Sequence, residues 1–147
     1  MSMSTIGVPL EGFGVYCRAA AAEGAVLLKN EGHMFPLKKE EMVSVFGRCQ
    51  FETYRSGTGS GGAVNVPYAV NIYDGMRESG SFTLNEELAD IYRAWLKDHP
   101  FDNGGGGWAA EPWHQKEMVI TEEIAAAAAE KSEKAIFSIG RTAGEDK

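Results

Sequence analysis

The chain has 147 residues, 44% of them hydrophobic and 24% charged, with 21 acidic against 14 basic side chains and a net charge of −7. This is the balance of one ordinary globular domain, which can bury roughly 70% of its unfolded surface. It excludes a nucleic-acid partner, because no cluster of Lys and Arg exists to meet a phosphate backbone. It excludes a membrane span as well, since no apolar run approaches about 18 residues.

Residues 1–10 read as a loose arm, without the basic region and apolar core of a secretory signal. Cys17 and Cys49 form no CxxC pair and no disulfide framework, so two buried, inert thiols and a cytoplasmic setting are expected. From Phe13 to Asn30 the sequence turns helical, with Tyr16, Ala19, Ala20, Val26 and Leu28 set among alanines. Asn30-Glu31-Gly32 supplies a stop, and Phe35-Pro36-Leu37 an extended connector, because a residue before proline avoids the α region.

Met42–Gly47 (MVSVFG) is a short apolar run closed by glycine, and Ala135–Gly140 (AIFSIG) answers it near the end of the chain. Each predicts a buried parallel strand handing over to a loop. With helical stretches between them, the fold class is α/β: a layered sandwich with a mostly parallel sheet flanked by helices. In such folds ligands bind at the loops leaving the carboxyl ends of the strands, here Arg48–Asn65 and Arg141–Lys147.

The first of these loops holds Gly57-Thr58-Gly59-Ser60-Gly61-Gly62, a backbone able to curve tightly and aim its amides at a ligand. It spells GxGxxG, but ten residues after the strand and with Val66-Pro67 in place of a helix start, which argues against a dinucleotide site. Val70–Ser79 predicts a short helix stopped by Gly80. Thr83-Leu84-Asn85-Glu86 reads as a capping box, with Thr83 the cap of a helix whose apolar stripe is Leu84, Leu88, Ile91, Tyr92, Trp95 and Leu96. That helix ends near His99-Pro100.

A long excursion follows, with four glycines at 104–107. Trp108 and Trp113 either anchor it against the core or line a sugar-facing wall or partner surface. Met118–Thr121 reads as an extended piece, and Glu122–Lys134 as a helix feeding the second strand.

His33, His99 and His114 stand apart without HxH or HExxH spacing, so no metal and no cofactor are expected. There is no GxSxG elbow, and neither cysteine has a suggestively placed histidine. What remains is Gly140-Arg141-Thr142-Ala143-Gly144-Glu145-Asp146-Lys147. A glutamate on a glycine-flanked loop at a strand's carboxyl end can deliver a proton to a leaving oxygen. Arg141 can hold a neighbouring carboxylate or a sugar hydroxyl. Solvated charges near a chain end are the plainer alternative.

AAEGAVLLKNEG at 21–32, FPL at 35–37, VFGR at 45–48, YRSGTGSGGAVN at 54–65 and AIFSIGRTAGED at 135–146 together resemble glycoside hydrolase family 3, in the α/β-sandwich domain of its β-glucosidases. The resemblance implies that a (β/α)₈ barrel carries an aspartate nucleophile and that the sandwich supplies the general acid/base across the cleft. Glu145 is its counterpart here. Gly57, Thr58, Gly59 and Ser60, with Arg141, then either face that cleft or support the domain interface. A methionine start just before this domain resembles the subgroup with sandwich first and barrel second. Residues 1–147 would then be a partial sandwich, incomplete at its C-terminal side and lacking the barrel. The implied function is a part of a β-glucosidase of retaining mechanism, inactive by itself. Its partners would be a β-glucoside or short gluco-oligosaccharide, the barrel of the same enzyme, and further copies in a homo-oligomer. The alternative is a non-catalytic carbohydrate-binding or protein-interaction module.

Overall fold

The computed structural model describes residues 9–54, 59, 66 and 68–144. It divides into two units, Met1–Pro36 and Leu37–Lys147.

In the first unit, helix α1 spans Phe13–Glu23 and buries none of its residues. It ends at Gly24, whose N–H donates to the Ala20 carbonyl at 3.0 Å, well short of the expected Asn30. Glycine holds a helix about 1 kcal/mol less well than alanine, and nothing packs beyond it to compensate: Val26, Leu27 and Leu28 are exposed. Cys17 is exposed too, against the expectation of a buried thiol. Asn30 brackets the end of the unit, donating to the Phe35 carbonyl at 2.8 Å and accepting from the Phe35 N–H at 2.9 Å.

The second unit is the α/β body. Three parallel strands, β1 (Met42–Phe46), β2 (Thr83–Leu84) and β3 (Lys134–Phe137), lie in the order β2-β1-β3. Helices α2 (Ile72–Ser79), α3 (Glu86–Asp98) and α4 (Glu122–Lys131) cover them. The alternation of β1 sorts two cores. Val43 and Val45 pack with Tyr73, Leu84 and Ala89, while Phe46 packs with Leu88, Tyr92, Met118 and Ala128. Each Val, Leu, Phe or Met among them contributes about 1.5–3 kcal/mol by leaving water. Between the two valines sits Ser44, also buried. Its Oγ lies 2.6 Å from the Ser132 Oγ and accepts from the Asn85 side chain at 2.9 Å, so one small polar group ties β1 to the start of α3 and the end of α4.

Several boundaries differ from expectation. Thr83 caps nothing: with Leu84 it pairs as β2 against Met42 and Val43, and the cap is Asn85, whose Oδ1 accepts from the Leu88 N–H at 3.2 Å. A two-residue strand is too short to show a period, so its threonine reads as a cap. Helix α4 stops three residues early, at Lys131. Strand β3 is an edge strand of the described sheet, and against the expectation of a buried strand none of its residues is buried: Lys134 and Ile136 are half-buried, Ala135 is exposed and Phe137 is 67% exposed. Met118–Thr121 joins no strand, although Met118 and Ile120 turn inward and Val119 outward.

The tryptophan side chains of the excursion after α3 lie largely outside the core, Trp108 being 63% and Trp113 55% exposed. Gln115 closes the excursion. Its side chain accepts from the Asp102 N–H at 2.7 Å and donates to the Asp102 carbonyl at 2.8 Å. A reciprocal amide pair of this kind satisfies two backbone groups at once and needs no apolar contact.

Tyr73 is 1% exposed, with its ring 4.9 Å from that of Phe51 and the Arg93 guanidinium 5.0 Å above it. Burial disfavours the phenolate and the nearby Glu86 carboxylate adds to this, so its pKa is pushed up to about 12. In the unfolded chain it ionises near 10. The unfolded state therefore releases its proton first as pH rises. Stability is intact below pH 10 and falls by about 2–3 kcal/mol between pH 10 and 12. Urea midpoints over that range should drop less steeply in Tyr73→Phe than in the parent chain. Tyr92, also raised by burial, leaves a residual slope in both. Equal slopes would refute the assignment.

Candidate functional site

The carboxyl ends of β1 and β3 lie side by side, Phe46 opposite Phe137 with rings stacked at 4.9 Å. Just beyond, the chains come closer than any side chain allows. Gly47 has φ +93, and a Cβ placed on it would lie 2.0 Å from the Ser138 carbonyl oxygen. Glycine alone satisfies both conditions. Its N–H donates to the Tyr92 hydroxyl at 2.8 Å, which orients the turn toward α3. Gly140 repeats the device on the other strand exit: a Cβ there would meet the Cys49 Sγ at 2.1 Å and the Tyr54 ring at 2.8 Å. The Cys49 thiol is buried as expected, and burial, with Glu117 nearby, pushes its pKa up, away from the reactive thiolate.

Arg48 follows Gly47 and is 1% exposed. Its guanidinium pairs with Glu52, donates to the Lys116 carbonyl at 2.7 Å and the His99 carbonyl at 2.9 Å, and lies 5.4 Å from the Trp95 ring. Its own N–H donates to the Glu117 carboxylate at 3.0 Å. One buried cation thus gathers the exit of β1, the end of α3 and the segment ahead of α4.

Against these exits opens a cleft of about 470 Å³. Apolar Phe46, Met118, Ile120, Phe137 and Ile139 line it together with His114, Glu117 and Arg141, and of the apolar set Phe137 and Ile139 are largely exposed. Among the described residues no three His, Cys, Asp or Glu side chains gather as metal ligands, and no helix is long and apolar enough to cross a membrane.

Of the residues singled out by sequence, Arg141 is exposed and lines this cleft, and no carboxylate pairs with it among the described residues. Gly59 adopts φ +79, the left-handed conformation that favours glycine. Gly57, Thr58, Ser60 and Glu145 lie outside the described residues. Glu117, His114 and Arg48 were missed. Glu117 reaches the strand exit across 69 residues of sequence from a stretch without periodicity, and no local pattern marks such a contact. VFGR carried Arg48 as part of a resemblance, but nothing in four letters shows that its guanidinium is buried.

Comparison with known proteins agrees with this architecture. The family model described as the glycosyl hydrolase family 3 C-terminal domain matches residues 25–147. A β-glucosidase of Ruminococcus albus is 50% identical over 125 residues, covering 85% of this chain and 13% of its own length. The crystal structure of a β-glucosidase from Paenibacillus barengoltzii superposes with a TM-score of 0.93 at 66% identity, covering 98% of this chain and 16% of that one. β-Glucosidase 3B from Thermotoga neapolitana, solved in complex with α-D-glucose, superposes with a TM-score of 0.79 at 31% identity, over 94% of this chain and 19% of its own. The chain therefore spans a small fraction of the length of the relatives it matches. With most of its residues inside the family model and its parallel sheet shared with these enzymes, the chain belongs to the family of glycosyl hydrolase family 3 C-terminal domains.

Proposed function

We propose that this chain is the sandwich part of a β-glucosidase and that Glu145 supplies the general acid/base of a retaining hydrolysis. The attacking carboxylate and most of the sugar pocket belong to polypeptide outside these 147 residues. The observation that carries the reading is the likeness to the Paenibacillus barengoltzii β-glucosidase, at 66% identity and a TM-score of 0.93 over nearly the whole chain. Retaining hydrolysis sets two carboxyl groups about 5–5.5 Å apart, one attacking the anomeric carbon, the other protonating the leaving oxygen and then deprotonating water. Glu145 is the second of these. Arg141 binds a sugar hydroxyl or the facing domain.

The test is a transplant. Residues 1–147 replace the matching segment of the Paenibacillus barengoltzii enzyme, and the hybrid is assayed on aryl and alkyl β-glucosides. Hydrolysis by the hybrid, with none by the isolated chain, is the expected result. A folded but inactive hybrid counts against the reading. If the isolated chain then shows saturable quenching of tryptophan fluorescence by glucose, the exposed Trp108 and Trp113 favour a carbohydrate-binding module instead.

A further inference from the structure

Thr142 is 4% exposed and held from three sides. Its Oγ1 donates to the Pro112 carbonyl at 2.6 Å and lies 3.3 Å from the Tyr54 hydroxyl, while its N–H donates to the Trp113 carbonyl at 2.9 Å. Two residues earlier, Gly140 is pressed against Cys49 and Tyr54 closely enough to exclude a Cβ. The strand exit is therefore clamped twice within three residues, on elements far apart in sequence. Neither clamp is needed to end a strand. An exposed loop needs no buried hydroxyl, and ordering Thr142 costs backbone and side-chain entropy that a free segment would keep.

We infer that Thr142 is a positioning residue for catalysis: its hydroxyl, bonded to Pro112 and set against Tyr54, fixes the base of the segment that carries Glu145. Three residues of chain reach at most about 10 Å, so whatever fixes residue 142 bounds where a carboxyl group on residue 145 can act. The inference rests on the acid/base role proposed for Glu145. Proton transfer depends steeply on placement, and an error of about 1 Å can cost about a hundredfold in rate. A purely structural threonine would lower the amount of active enzyme and leave its substrate preference unchanged.

The test uses the hybrid enzyme with two substrates, methyl β-glucoside, whose departure needs a proton, and 2,4-dinitrophenyl β-glucoside, whose departure does not. Thr142→Val keeps the shape and removes the hydroxyl. It should lower kcat/KM roughly tenfold to a hundredfold on the methyl glucoside and less than about threefold on the dinitrophenyl glucoside. Thr142→Ser, which keeps the hydroxyl, should stay close to the parent on both. Equal loss on the two substrates, or no loss on either, overturns the inference. If Thr142→Val does not fold, Tyr54→Phe decides: a smaller loss confined to the methyl glucoside supports the inference, and an unselective loss or none overturns it. Glu145→Gln in the same hybrid separates the two ideas. If it shows the substrate split and Thr142→Val does not, only the inference fails. If Glu145→Gln shows no split, the acid/base reading fails first.

Discussion

In the hybrid enzyme, Glu145→Gln is expected to lower kcat/KM on methyl β-glucoside by about 10²–10⁴-fold, the range that a positioned general acid contributes. Glutamine keeps the size and loses the proton, so an alkoxide would have to leave unprotonated. A dinitrophenolate leaves without help. With the activated substrate the first step should proceed at nearly the parent rate, and kcat/KM should change little. The second step then stalls, because no base is left to deprotonate water. That stall shows as a fall in kcat with a parallel fall in KM and a burst of dinitrophenolate equal to the enzyme present. Azide needs no base to attack, so adding it should restore turnover and yield β-glucosyl azide. Equal loss of kcat/KM on both substrates, or no rescue by azide, would remove Glu145 from the reaction.

The sequence revealed the sheet more readily than the site, for a physical reason. MVSVF is a short, nearly continuous apolar run and is buried from Val43 onward, as a central parallel strand is, while AIF keeps the strand but lies at the edge of the described sheet with no residue fully buried. The apolar stripe of α3 likewise survives, with Leu88 and Tyr92 buried where the spacing puts them. Boundaries failed where two local rules competed. Asn85 and Thr83 are both competent caps, and the choice was made by β1, which recruits Thr83-Leu84 as a strand and bonds Asn85 through Ser44. Nothing within ten residues of Thr83 carries that information.

The site is built from contacts of the same long-range kind. Glu117 meets the Arg48 N–H, Gln115 meets Asp102, and Thr142 meets Pro112, all through polar groups on segments without period. Of the two readings of the tryptophans, the anchor against the core fits less well for a related cause: Gln115 closes that loop through the backbone of Asp102, which leaves the side chains of Trp108 and Trp113 largely exposed. The resemblance to family 3 reached further than periodicity did, because a run such as AIFSIGRTAGED records the demands of a whole tertiary neighbourhood.

Arg48 is the residue whose loss the fold should tolerate least. Arg48→Met fills the space with an apolar chain and removes every side-chain donor. The carbonyls of Lys116 and His99 lose their partners, and the Glu52 carboxylate, three-quarters buried, loses its counter-charge. Breaking a buried pair from one side costs about 3–5 kcal/mol, a large part of the 5–15 kcal/mol that stabilises a typical domain. Urea unfolding of the chain should show a loss of this size. Arg48→Lys keeps the charge, but a single ammonium cannot span Glu52 and two carbonyls on separate segments, so a loss of about 1–3 kcal/mol is expected. Glu52→Gln placed on Arg48→Met should recover part of the cost, since it removes the stranded charge and leaves the two carbonyls unmet. A midpoint for Arg48→Met within about 0.5 kcal/mol of the parent, the range of ordinary surface changes, would contradict this account. Because the same guanidinium holds the segment that bears His114 and Glu117, amide exchange there should quicken in Arg48→Met well before the sheet opens. That part of the cleft would then loosen while β1 stays paired with β3, which separates the residue that shapes the site from those that hold the sheet.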